Sequence, residues 1–147
     1  MMDRQRSTLQ AWTWFYAALF AGVVLVGHLP GVDDPEGRMF GLFHITLYQD
    51  LLHGASAVWA AIAAWHSWRQ SRFYLRWFGM VYFLDGVLGA ITGVTFLDLG
   101  IVTGKAPIEG VLVRILANLP HIAIGGLAMV LGFILARRWP PRSPPTE

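Results

Sequence analysis

Cysteine is absent from this 147-residue chain. Disulfides, zinc–thiolate centres and cysteine-held iron–sulfur clusters are therefore excluded, and thiol content says nothing about compartment. Charge is scarce too: Asp, Glu, Lys and Arg make up 14% of the residues, against ~25% in an average soluble domain. With a formal net charge of +2, the basic isoelectric point reflects few titrating groups rather than a cationic face, and no nucleic-acid partner is expected. No two histidines have the i, i+4 spacing of a metalloprotease helix, and no catalytic motif stands in a soluble-facing segment, so no catalytic residue is assigned. What is plentiful is apolar. Hydrophobic residues reach 55% and fall in long blocks, which points to one all-α membrane domain rather than a large soluble core.

In chain order, residues 1–8 are a short polar, basic start. Residues 9–29 are apolar apart from Gln10, Thr13 and His28, long enough to cross a hydrocarbon core of ~30 Å as a helix. The run exceeds the ~7–15-residue core of a secretory signal and ends without a small-x-small cleavage pattern, so it is read as an uncleaved first span. Two prolines, two glycines and three acids then break the chain over residues 30–39. Further spans are expected at about 40–65, 77–96 and 111–136. A basic loop (Arg69, Arg72, Arg76) separates the second from the third, and a glycine-bearing loop of mixed charge the third from the fourth. The proline-rich tail, residues 137–147, is expected to be disordered.

Cations set the orientation. The start, the 66–76 loop and the tail hold eight of the eleven Lys and Arg residues, and six of the seven tryptophans sit at the same ends of the spans. By the positive-inside rule both termini are cytoplasmic, with the tryptophans in the interfacial girdle on that side.

Two segments carry polar groups into the apolar blocks. In T-L-Y-Q-D-L-L-H-G-A, Asp50 and His53 fall on one helical face with Thr46, Ala57, Ala60 and Ala64. Sixty-eight residues later, Arg114, Asn118, His121, Gly125, Ala128 and Gly132 hold the matching positions. These segments are read as the paired inner helices of a four-helix bundle built from two pseudo-symmetric hairpins. Gly86, Gly89, Ala90 and Gly93 in the third span, with Ala128, Gly132 and Ala136 in the fourth, are expected to be packing surface.

Asp50, His53, Asp85, Arg114, Asn118 and His121 thus form the candidate site. A charge at mid-membrane costs at least ~2.5–3.5 kcal/mol, so these groups should pair or face the bundle interior. The overlay predicts an Asp50–Arg114 ion pair. It also predicts buried, facing His53 and His121 that contact polar neighbours among Asp50, Asp85 and Asn118. Asp85, which falls on Ala17 in the overlay, is either a protonated acid or a partner of a histidine. The bland reading is that these groups lock helices together. Three functional readings stand beside it: a haem between His53 and His121, a divalent metal held by the histidines with Asp50 or Asp85, and a proton or solute path along Asp50, His53, Asp85 and His121.

The repeated N/D-L-x-H (Asp50 to His53, Asn118 to His121), the small-residue helix after each, and G-M-V-Y-F-L at Gly79–Leu84 resemble a family. It is a group of small bacterial four-span membrane proteins known only as domain of unknown function 4383, and the likeness covers roughly residues 10–138. Asp50 stands where the family pattern has Asn, and Pro120 interrupts the second motif. The resemblance implies the architecture and a bacterial inner-membrane location, and it carries no activity. The expected function is that of a non-enzymatic structural or accessory subunit with no cofactor. The bilayer is its partner, and a homodimer or larger membrane complex is left open.

Overall fold

The computed structural model describes residues 7–32, 34, 35, 39, 40 and 46–138. They are all-helical, with no strand among them. α1 spans Thr8–Gly27, α2 Leu47–His66, α3 Trp68–Thr92, the single turn α4 Gly100–Thr103, and α5 Val111–Met129. A π-helical turn, Val130–Ile134, and a 3-10 turn, Leu135–Arg137, continue α5.

Three of the long helices start on the same local device, a Ser or Thr followed three residues later by Gln. Ser7 Oγ accepts from the Gln10 N–H at 3.2 Å while Gln10 Oε1 accepts from the Ser7 N–H at 3.2 Å. Thr46 and Gln49 repeat the reciprocal pair, and the Ser67 hydroxyl accepts from the Gln70 N–H. Each satisfies amide groups that the first helical turn leaves without partners. Two expected boundaries move for this reason. The second helix begins at Leu47, not near 40, where Phe40 adopts a left-handed backbone. The third begins at Trp68, not 77, so the expected basic loop is the first turns of α3, joined to α2 by Ser67 alone. The predicted disordered tail lies outside the described residues except for Arg137 and Arg138.

The helices pack as two antiparallel pairs. α1 lies on α2, tied by Gln10 Nε2 to the Ala64 carbonyl at one end and by His28 to Asp50 at the other. α3 lies on α5, and glycines on both let the backbones meet. A Cβ at Gly79 would fall 2.8 Å from the Met129 nitrogen, and one at Gly86 2.8 Å from the Ile122 nitrogen. The pair of inner helices is thus α3 with α5. α2 and α5, which the sequence overlay set face to face, make almost no direct contact. Between the pairs runs a stack of buried rings: Tyr74, Phe78 and Tyr82 along one face of α3, with Tyr16 and Phe20 from α1 against them at 5.2–6.3 Å. Edge-on and offset ring pairs of this kind add ~0.5–1.5 kcal/mol each beyond their buried area. The Tyr16 hydroxyl donates to the Ile124 carbonyl of α5 at 2.7 Å, crossing from one pair to the other.

The molecule has two unlike ends. Arg69, Arg72, Arg76, Arg137 and Arg138 gather at the one where α1 and α3 begin, the arginine end. The other, the loop end, carries the described residues between α1 and α2 and residues 93–110.

Candidate functional site

Toward the loop end the two helix pairs part and leave a cavity of about 470 Å³. Phe20 and Val23 of α1, Leu52 of α2, and Ala117 and Ile124 of α5 give it apolar walls. Its polar lining comes from Gln49, His53, Tyr82, Asn118 and His121, with Thr95, Asp98 and Lys105 in the loop that closes it. A concave, mainly apolar space with a few convergent polar groups, within the ~300–1,000 Å³ of small-molecule pockets, has the form of a ligand site.

Asp85 organises one wall. It is fully buried; Oδ1 accepts from the Phe96 and Leu97 amides at 2.8 and 2.9 Å, and Oδ2 lies 2.8 Å from His121 Nδ1. One proton sits between Oδ2 and Nδ1, whichever atom carries it. The carboxylate therefore fastens the chain after α3 back onto α3 and fixes the His121 ring, which also rests on Tyr82 at 4.6 Å. With Nδ1 engaged, Nε2 is the ring nitrogen left for a ligand.

His53 is different. Its ring stacks on Phe20 at 5.7 Å, and its Nδ1 is buried with no hydrogen-bond partner. The Tyr82 hydroxyl, also buried, has the Ser56 hydroxyl beside it. An orphaned buried polar atom costs roughly 1–3 kcal/mol and calls for a reason. The expectation that both histidines are buried and contact polar neighbours holds for only one contact, His121 with Asp85. Both rings are half-buried instead, because the cavity lies between their helices. The 68-residue shift that matches them also sets Asp85 on Ala17, so only one can have an acid.

The Asp50–Arg114 pair is not formed. Asp50, in the first turn of α2, meets the exposed His28 ring at 3.2 Å. Arg114 donates through Nε to the Ile108 carbonyl and through Nη1 to Ile91 at 3.4 Å, bracing the loop against the end of α3. Asn118 turns inward on its own helix, its Nδ2 donating to the Arg114 carbonyl at 2.9 Å. Its oxygen occupies the space where Gly89 lacks a side chain. Among the described residues no three His, Asp or Glu side chains come close enough together to hold a metal ion.

Asp98 was not singled out in the sequence. It accepts from the Thr95 hydroxyl at 2.7 Å, the Gly100 amide at 2.9 Å and Lys105 Nζ at 3.0 Å. Burial alone would raise its pKa, but these donors together hold the carboxyl below its ordinary range. A D-L-G turn of this kind resembles any polar loop, so the signal lay only in Asp98 standing two residues before Gly100.

A family profile described as domain of unknown function (DUF4383) matches residues 10–102. The chain belongs to the DUF4383 family. The DUF4383 match contains the Asp50–His53 motif, Gly79–Leu84 and Asp85, and stops before α5. The likeness expected through residue 138 therefore ends earlier, and the DUF4383 region carries every wall of the cavity except that of α5 and the chain just before it. No curated protein and no solved structure matches the chain.

Proposed function

We propose that the protein is a non-catalytic accessory protein of a bacterial inner membrane, spanning it four times with both termini cytoplasmic. In this reading it holds a small, largely apolar molecule with a hydrogen-bonding head in the loop-end cavity. The observation that carries the reading is the cavity itself, with the orphaned Nδ1 of His53, one of its lining residues.

The outward faces support a membrane setting. α1 and the α5 continuation, Thr8–Gly27 and Val111–Arg137, are each long and apolar enough to cross a bilayer. α2 and α3 run beside them for about 30 and 37 Å at 1.5 Å per residue. Leu51, Val58, Ile62, Leu84 and Ile91 on those two helices are more than half exposed. Apolar side chains facing outward along every long helix are a liability in water and a fit in lipid. The buried ring stack fills the space between the pairs below the cavity, which favours a closed binding site over a solute path through the bundle.

The lack of cysteine makes the orientation easy to test. Single replacements Gln70→Cys and Ala106→Cys should label from opposite sides in sealed vesicles with an impermeant maleimide, Gln70→Cys only from the cytoplasmic side. Labelling of both from one side would overturn the four-span arrangement.

Cavity occupancy is tested separately. Native mass spectrometry of wild-type protein released from its membrane should show an added small-molecule mass. Ala117→Trp, which fills the cavity from α5, should lose it while keeping its helical circular dichroism. Identical adducts on both proteins, or none on the wild type, would reject the cavity as a binding site. An adduct with a Soret band would replace this reading with the haem one.

A further inference from the structure

The arginine end carries a charge pattern that the cavity does not use. Arg69, Arg72 and Arg76 stand on one face of the first turns of α3, and Arg137 and Arg138 close the α5 continuation. The two helices run antiparallel, with Gly132 against Arg76. Arg76 Nε donates to the Gly132 carbonyl at 2.9 Å, and Arg72 Nε reaches the same oxygen at 3.4 Å. A Cβ at position 132 would fall 2.9 Å from Arg76 Cγ, so the glycine is what admits the arginine stem. Arg76 also lies over the Phe133 ring at 4.7 Å and Arg72 over Trp68 at 5.3 Å, contacts that hold both guanidiniums in place. Arg72 and Arg137 are near enough to Arg76 to repel its charge.

Among the described residues no carboxylate answers these charges. Asp34, Asp50, Asp85, Asp98 and Glu109 stand in the loops or in the halves of α2 and α3 toward the loop end, and none of them pairs with any of the five arginines. Converging guanidiniums without a counter-charge among the described residues, already fixed by carbonyl and ring contacts, make a site for a phosphate, whose oxygens match their donor geometry. The surroundings indicate what carries that phosphate. Phe73 and Trp77 of α3 and Ile134 after α5 lie on the same turns and are each more than half exposed. A soluble anion gains nothing from that apolar surface, whereas acyl chains cover it.

We propose that Arg72, Arg76 and Arg137 bind the phosphate headgroup of an anionic phospholipid, with its chains along α3 and the end of α5. The proposal rests on the membrane-spanning reading and is independent of the cavity.

The test uses the full chain in detergent, stripped of lipid and titrated with phosphatidylglycerol, phosphatidylcholine or inorganic phosphate, with bound lipid counted by native mass spectrometry. Wild-type protein should prefer phosphatidylglycerol to phosphatidylcholine by about tenfold or more, since each arginine at a lipid surface contributes about a fivefold factor. Arg72→Gln with Arg137→Gln should abolish the preference, and Lys105→Gln at the loop end should keep it. Should the double variant not fold, Arg137→Gln alone replaces it, because that exposed side chain donates to no group among the described residues. Equal binding of the two lipids by wild type, or a preference that survives the arginine replacements, would overturn the proposal. So would displacement of the lipid by millimolar inorganic phosphate, which would mark a free-anion site. Cysteine labelling from the wrong sides would show instead that the membrane reading itself had failed.

Discussion

Gly125→Val should leave almost no folded protein in detergent, while Gly54→Ala should be tolerated. A Cβ at position 125 would collide with the Phe83 backbone nitrogen and stand 2.9 Å from both the Gly79 carbonyl and Phe83 Cα. All three obstacles are backbone, so no rotamer change relieves them; α3 and α5 must move apart. That separation would undo the contact at Gly79 and Gly86 and pull His121 away from Asp85. Overpacking a well-fitted core typically costs ~1–3 kcal/mol, and a clash with fixed backbone on both helices should lie at or above the top of that range. Gly54, by contrast, has nothing within 4 Å of its added methyl, and alanine is the better helix former by ~0.5–1 kcal/mol. Thermal unfolding followed by circular dichroism distinguishes the two. A Gly125→Val protein melting within a few degrees of wild type would show that the α3–α5 contact is not the stabilising one.

Asp85 should rank next, and the order of its variants matters more than the size of any one loss. Asp85→Leu orphans the Phe96 and Leu97 amides and His121 Nδ1 in a buried place, and should cost roughly 3–5 kcal/mol, as removing one partner of a buried pair does. Asp85→Asn keeps an oxygen for the two amides, and its NH₂ can donate to Nδ1 of the other imidazole tautomer, so most stability should return. The same variants separate the fastening role from a proton relay. A relay loses its titrating group with Asn as fully as with Leu, while a fastening keeps its geometry with Asn. Melting midpoints ordered Asp, then Asn, then Leu far below, support the fastening; Asn as damaging as Leu would defeat it.

Much of the fold was legible because helix starts and close packing are local. Four long helices, the glycine and alanine faces and the candidate polar residues all follow from periodicity and small-residue spacing. The first turns of α3 were misread because Arg69, Arg72 and Arg76 looked like a loop, and the S-x-x-Q cap at Ser67 was the stronger signal. The Asp50–Arg114 pair failed because the overlay set α2 against α5, whereas the glycines of α3 draw α5 to themselves. Asp85 as the organiser of the site could not be read in advance, since two of its three partners are backbone amides whose side chains, Phe96 and Leu97, carry no polar mark. The cavity was hidden for a related reason. It is bounded by the loop that Asp85 holds, and no single stretch of sequence encodes it.

The single-residue connection at Ser67 has a mechanical consequence. Within the described chain it is the only covalent link between the α1–α2 pair and the α3–α5 pair, and it lies at the arginine end. The Tyr16 bond to α5 and the Phe20–Phe78 contact clamp the pairs again about halfway along. The molecule is therefore joined at one tip and braced at the middle. Any motion that widens the cavity is a rotation about that brace, small at the rings and largest at the mouth.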